Sequence, residues 1–286
     1  MSKTAIILGA TGLTGSFLLE KLIRDTSFEK IKLFSRNPVH KSSSKIEEHL
    51  IDLFKLETYK ELFTGDVLFC CIGTTASKTK DKEVYKAIDY GIPVSAAKLA
   101  IKNNIKTFIV VSSMGANVSS SLFYNKTKGE MERDVLKQNI KNTYILRPSL
   151  IGGNRNELRV GERIAKGVMS LLDPFFLGPL KKYKIISPEN IVSCMQKLAE
   201  SNVYQSIFSS DEIVKIANSN KNKWAKTNQL ESIHTIGIAF NLLLFLALIL
   251  LLKAVHSLFF WCFERCKKNR IRSYIQSIRM LFFLLK

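Results

Sequence analysis

Tyr124 and Lys128 stand four residues apart in the pattern YxxxK, with Ser112 and Ser113 a short distance before them. On a helix that spacing puts the phenol and the ammonium on one face. A free phenol, with a pKa of about 10, exchanges protons poorly at neutral pH, and an adjacent positive charge brings that value toward the working range. The set therefore suits proton transfer. YxxxK also describes an ordinary surface pair on a helix, so the elements around it decide between the two.

The second chemical feature is a glycine-spaced turn, Gly9-Ala10-Thr11-Gly12-Leu13-Thr14-Gly15. It follows a short apolar run, Thr4 to Leu8, that reads as a buried parallel strand. It opens a segment, Leu13 to Arg24, with apolar residues at helical spacing (Leu13, Phe17, Leu18, Leu22). Strand, glycine turn and helix make a dinucleotide grip. The spacing is GxxGxxG rather than GxGxxG, but bare backbone still comes close to a pyrophosphate, and the helix N-terminus still faces its charge.

About 20 residues past such a turn an NAD-binding fold offers Asp or Glu to the ribose 2′-hydroxyl. Here Lys30 to Phe34 reads as the second strand, and Ser35 and Arg36 follow it. A guanidinium and a hydroxyl suit a 2′-phosphate, so NADP(H) is favoured over NAD(H). A solvated Arg at a strand end is the competing reading.

These residues need a scaffold, and the rest of the N-terminal region supplies one. Glu48 to Leu53, Val67 to Ile72, Thr107 to Ser112 and Thr143 to Leu146 read as further strands, with helical patterns between them, clearest at Val84 to Ile101 and Lys126 to Leu136. The expected fold class is α/β, a doubly wound parallel sheet of Rossmann type. Ligands of such sheets bind beyond the carboxyl ends of the strands, which points to Asp52, Cys71 to Thr75, Ser112 to Gly115 and Pro148 to Leu150.

The chain here resembles the atypical short-chain dehydrogenase/reductases, and within them the Tat-interacting-protein oxidoreductase family and its bacterial relatives. The resemblance rests on GATGLTG (Gly9 to Gly15), CCIGTT (Cys70 to Thr75) with Asp89 and Tyr90 on the next helix, VSSMGA (Val111 to Ala116), YNKTKGEME (Tyr124 to Glu132) and LRPSLIGG with RNELR (Leu146 to Arg159). These occur in order over about residues 1–217. The resemblance implies hydride transfer between NADPH and a carbonyl or alcohol substrate. Ser113 would hold the substrate oxygen, Tyr124 would donate the proton, and Lys128 would bind the nicotinamide ribose and tune the tyrosine. It also implies that Cys71, Gly73 and Thr74 lie along the ribose and Pro148 and Leu150 beside the nicotinamide, with Asp52 toward the adenine. A carboxylate that simply caps the next helix would look the same as Asp52. Asp89 is a candidate for the fourth polar member found in many relatives, and equally a helix-face carboxylate.

On the substrate side, Arg155, Glu157, Arg159 and Glu162 suit an anionic group or a solvated helix start. Phe175, Phe176 and Leu177 suit a lid, a docking surface or a small core. The expected organisation is a domain over residues 1–217, whose part from about 149 onward faces the substrate and closes with helix Pro188 to Glu200. The four histidines (His40, His49, His234, His256) have no second ligand at metal spacing, and no CxxC occurs, so no metal site is expected. Cys70 and Cys71 read as packing residues of a reducing compartment. Nucleotide hydrolysis of the Walker type is disfavoured, because the glycine turn lacks a GK[ST] ending.

The chain's net charge of +19 is uneven. Residues 1–217 carry 32 Lys and Arg against 22 Asp and Glu, and residues 218–286 carry 11 against 2. Residues 218–235 read as a basic linker. Ile236 to Leu252 is apolar but for Asn241, and with the continuation to Phe263 is long enough for a transmembrane helix. The basic tail of residues 264–286 carries the cluster Arg265 to Arg272, which favours an anionic membrane surface over nucleic acid. The expectation is membrane association through this tail with the catalytic domain in the cytoplasm, and a soluble cytoplasmic protein as the alternative. Lys221, Lys223 and Lys226 flank the other side, so charge leaves the orientation open, and an interfacial segment is the competing form. No N-terminal targeting segment is expected, since the first strand begins at Thr4. Two function classes remain: an NADPH-dependent reductase, favoured by the Ser113, Tyr124 and Lys128 set, and an NADPH-binding regulator with little turnover.

Overall fold

A run such as Ala5-Ile6-Ile7-Leu8 is apolar on both sides, and only a strand covered on both faces can bury it. The computed structural model, which describes residues 2–75, 77–152 and 183–219, shows this arrangement. Among the described residues seven strands form one sheet: β1 (Lys3–Leu8), β2 (Phe28–Ser35), β3 (Ile46–Leu50), β4 (Val67–Cys70), β5 (Thr107–Val111), β6 (Asn142–Arg147) and β7 (Ile207–Ser209). Their order is β3-β2-β1-β4-β5-β6-β7, and every pair is parallel.

Side chains alternate between the faces along each strand. Ala5 and Ile7 of β1, with Phe69 and Ile109, pack against α1 (Leu13–Arg24) through Leu18 and Leu22 and against α5 (Pro188–Ala199) through Ile191 and Met195. Ile6 and Leu8, with Leu68, Cys70, Phe108 and Val110, face the other way, toward Leu99 of α3 (Ile92–Lys102) and Met131 and Val135 of α4 (Phe123–Leu136).

Helix α2 (Lys82–Lys86) starts at Asp81, whose carboxylate accepts from the amides of Glu83 and Val84 at 2.8 and 3.1 Å. A π-helical turn, Ala87–Gly91, joins it to α3. The helix expected over Val84 to Ile101 thus contains one wide turn, and the wide turn carries Asp89.

Three further differences from the sequence reading have physical causes. The third strand lies at Ile46–Leu50, not Glu48 to Leu53. It is an edge strand paired only to β2, so its burial alternates weakly, and the Leu53–Tyr59 segment winds into a 3₁₀ helix capped by Asp52. Strand β7 and helix α6 (Ser210–Asn218) extend the sheet beyond the expected six strands. A three-residue strand gives almost no periodicity. The start of α6 is fixed by Ser209 and Glu212, the serine amide donating to the carboxylate at 2.7 Å.

The described part of residues 149–217 therefore joins the main sheet. Among the described residues no helix is long and apolar enough to cross a membrane. The expected span at residues 236–263, its basic tail, and Arg155, Glu157, Arg159, Glu162 and Phe175 to Leu177 lie outside the described residues.

The three glycines of the first turn carry different loads. Gly9 has φ +88°, and a β-carbon there would meet the Cys71 backbone at 2.9 Å. At Gly15 a β-carbon would lie 2.1 Å from the Gly9 carbonyl oxygen, whereas at Gly12 it would meet only that oxygen, at 3.3 Å. Gly15→Ala is expected to destabilise the domain by about 1–3 kcal/mol or more through backbone overlap. Gly12→Ala should melt close to the wild type while weakening dinucleotide binding. Thermal denaturation and cofactor titration of both variants check this, and equal melting temperatures would refute it.

Candidate active site

Sheet order reverses direction between β1 and β4, and the loops beyond these two strands open the crevice in which such sheets bind ligands. On one side is the glycine turn. The Gly12 amide donates to the Gly9 carbonyl at 3.0 Å, and α1 begins at Gly12 with no side chain capping its first turn. Thr11 and Gly12 are exposed, Leu13 is half-buried, and Thr14 and Gly15 are buried under the helix. An uncapped helix start with positive dipole and no acidic residue in its first turn suits a pyrophosphate.

Beyond β2, Ser35 is buried, and its hydroxyl donates to the Asn37 carbonyl at 2.8 Å. It shapes the turn from which exposed Arg36 projects. Asp52 accepts from the Phe54 amide at 3.0 Å, so one of its oxygens is engaged as a helix cap.

The other side of the crevice holds the titratable groups. Lys128 and Asp89 are almost wholly buried, and Lys128 Nζ lies 2.8 Å from Asp89 Oδ1. Asp89 Oδ2 accepts from the Thr74 amide at 2.8 Å. Gly73 passes directly over the pair, since a β-carbon there would sit 3.5 Å from Asp89 Oδ1 and 3.8 Å from Lys128 Nζ. Burial pulls the Lys128 pKa down, but the charge of Asp89, with Tyr124 and Cys70 behind it, outweighs burial and raises it overall. The ammonium is therefore a fixed cation.

Tyr124, one helical turn before Lys128, is partly exposed, and its ring stands edge-on to Tyr85 with centroids 6.1 Å apart. Two residues before Ser113, the Val111 carbonyl accepts from Lys128 at 3.5 Å, and the Ser113 Oγ is buried with no hydrogen-bond partner among the described residues. The neighbouring Ser112 donates to Glu132, which also holds Arg147 Nε at 2.9 and 3.1 Å. This network ties α4 to the ends of β5 and β6. Buried Pro148 accepts from the Met114 amide at 3.1 Å, and Leu150 is exposed.

The structure thus gathers Gly73, Thr74, Asp89, Tyr124 and Lys128, sets Ser113 at the adjoining strand end, and brings Gly9 against Cys71. Arg36 and Asp52 stand apart, at the β2 and β3 ends. Cys70 and Cys71 are free thiols whose pKa values burial raises, that of Cys70 to about 11, so neither is a thiolate nucleophile. No group of three metal-binding side chains occurs among the described residues. A surface groove of about 550 Å³ lined by Phe17, Arg24 and Gln196 lies at the far end of α1 from the glycine turn and holds none of these residues.

Two things were missed in the sequence. Tyr85 reads as an apolar helix position, although it lies four residues before Asp89. Glu132 reads as surface charge, although it lies four residues after Lys128 on the same face.

Sheet order, glycine turn and the Tyr124–Lys128 helix make this a Rossmann-type fold with the layout of the atypical short-chain dehydrogenase/reductases. The chain belongs to the HIM1 family, whose model matches residues 21–177. It is similar to Protein FMP52, mitochondrial, of Candida albicans, at 32% identity over 231 residues, 76% of this chain and 99% of that one. Protein HTATIP2 of Rattus norvegicus is 33% identical over 169 residues, 58% of this chain and 69% of that one. The fold is shared with the Bordetella bronchiseptica enzyme WbmG in complex with NAD (TM-score 0.56, 11% identity, 76% of this chain and 77% of that one). It is shared too with Helicobacter pylori ADP-L-glycero-D-manno-heptose-6-epimerase (TM-score 0.54, 18% identity, 77% of this chain and 82% of that one).

The buried pair makes stability depend on pH. Lys128 binds its proton more tightly folded than unfolded, so its contribution is present below the unfolded value of 10.5 and is lost as pH rises through the folded one. Without the carboxylate, the charge that chiefly offsets burial is gone and the folded pKa falls, so the variant's deficit shrinks as pH rises. Asp89→Asn is expected to cost about 3–5 kcal/mol at neutral pH, with the deficit narrowing toward about pH 10. Urea denaturation across that range checks it, and a constant deficit would remove charge pairing as the cause.

Proposed function

We propose that this protein is an NADPH-dependent oxidoreductase that interconverts a carbonyl and an alcohol. The observation that carries the reading is the buried Lys128–Asp89 pair one helical turn from Tyr124, with the Ser113 hydroxyl, which has no partner among the described residues, at the adjoining strand end. A nicotinamide dinucleotide bound in this crevice supplies the hydride. The residues fit such a group: Gly9, Gly12 and the start of α1 would hold the pyrophosphate, and Gly73 and Thr74 would border the ribose beside Lys128.

Ser113 donates a hydrogen bond to the substrate oxygen as negative charge develops on it. Tyr124 then gives that oxygen its phenolic proton, and the fixed charge of Lys128 stabilises the phenolate left behind. Asp89 keeps the ammonium in place and charged. The NAD bound by WbmG supports a dinucleotide here, and Arg36, in a stretch from residue 35 to 40 that has no Asp or Glu, supports the 2′-phosphate form. The mitochondrial names of the fungal relatives support that compartment over a specifically cytoplasmic one.

Following NADPH absorbance across a panel of carbonyl compounds tests the activity. A chain that binds NADPH yet turns over none of them would be a cofactor-binding regulator instead. Tyr124→Phe is expected to lose nearly all turnover while keeping NADPH affinity, because the proton is used only as the transition state forms. Wild-type rates in that variant would refute the mechanism. Arg36→Asp should weaken NADPH about ten- to a hundredfold and leave NADH little changed, the loss expected of a charge-assisted phosphate contact. Fluorescence titration with both cofactors reads this out, and an unaltered preference would take Arg36 out of the site.

A further inference from the structure

A buried hydroxyl with no hydrogen-bond partner is costly, and a phenylalanine in the same place would avoid the cost. Tyr85 is such a residue. It is 2% exposed, and its hydroxyl has no partner among the described residues. Its ring packs edge-on against Phe123 at 5.6 Å and against Tyr124 at 6.1 Å between centroids, and it lies one helical turn before Asp89. Ser113, two residues past β5, is the other described hydroxyl in this state. Two unpartnered hydroxyls beside one proton donor are more than a simple ketone can use. One carbonyl oxygen accepts from Ser113 and Tyr124 and leaves Tyr85 unpaired.

We propose that Tyr85 is a substrate-binding residue whose hydroxyl donates to a second oxygen on the carbon next to the reacting carbonyl, so that the preferred substrates are α-dicarbonyl or α-hydroxycarbonyl compounds. The inference rests on the oxidoreductase reading for the position of the reacting carbonyl. Burial, and behind it the charges of Asp89 and Tyr124, push the Tyr85 pKa well up, so this phenol stays protonated and acts as a donor, not a base. The aromatic neighbours Phe123 and Tyr124 suit an aryl group beside the two oxygens. No proton or hydride passes through Tyr85. It selects the substrate and fixes its orientation.

The test uses the full chain saturated with oxidised NADP, which can reduce nothing, titrated calorimetrically with 1-phenyl-1,2-propanedione and with propiophenone. The wild type is expected to bind the dione about tenfold more tightly than the monoketone, the loss expected when one buried donor goes unpaired. In Tyr85→Phe that ratio should fall to about one, with a melting temperature no lower than the wild type's, because the hydroxyl removed has no partner among the described residues. Equal affinity of the wild type for both ligands, binding of neither, or a ratio unchanged in the variant would each overturn the assignment. Turnover of the same two compounds with NADPH is measured alongside. Discrimination that depends on Tyr85, with no NADPH oxidised, keeps the binding assignment and removes the reductase reading. Reduction of both compounds with no effect of Tyr85 on preference does the reverse.

Discussion

The ion pair between Lys128 and Asp89 is the constraint on which the site is built. A cation almost fully withdrawn from water is tolerated only beside a partner of opposite charge, and the partner must itself be held. Asp89 meets both demands, one oxygen on Lys128 and the other on the Thr74 amide. Three segments distant in sequence are thereby pinned at one point: the loop after β4, the wide turn before α3, and α4. Moving any one of them would strand a buried charge, so the position of Tyr124 follows from electrostatics as much as from packing.

A second network does the same one turn further along that face of α4. Glu132 accepts from both Ser112 and Arg147, so the helix is anchored to the ends of two neighbouring strands by one carboxylate. Gly129, between the two anchors, lets the helix approach the Asn117–Val118 backbone, where a β-carbon would come within 2.4 Å. Lys128, Gly129 and Glu132 thus form a buried stripe that is polar because it faces strand ends, where carbonyls and hydroxyls need partners. Apolar side chains resume one turn on, at Val135, which packs against the sheet itself.

Most of the scaffold was legible in the sequence because parallel strands buried on both faces leave unbroken apolar runs, and β1, β4, β5 and β6 are such runs. The glycine turn was legible because steric demands on Gly9 and Gly15 exclude other residues. What escaped lacks periodicity. Strand β3 sits at an edge with none of its residues fully buried, and β7 has three residues. The π-helical turn breaks the 3.6-residue repeat by which a helix is read, so the inward course of Asp89 could not be deduced from spacing. Ser35 has the right type and place for a phosphate ligand, yet its hydroxyl donates within its own turn, a local competition that composition does not reveal. The Tyr85 hydroxyl escaped because an aromatic residue on a helix reads as core, and its ring is indeed core.

The strand order has a consequence for how the chain is made. Strand β2 pairs with β1 and β3 with β2, then β4 returns to the free edge of β1, and β5, β6 and β7 each add beside the strand before. Each described strand after β1 therefore finds its neighbour already synthesised and already at an open edge. The sheet can grow outward by single additions, with no strand held waiting for a partner still to be translated. By the time residue 219 has emerged, every described strand has been added, and the apolar stretch from Ile236 onward is made after them.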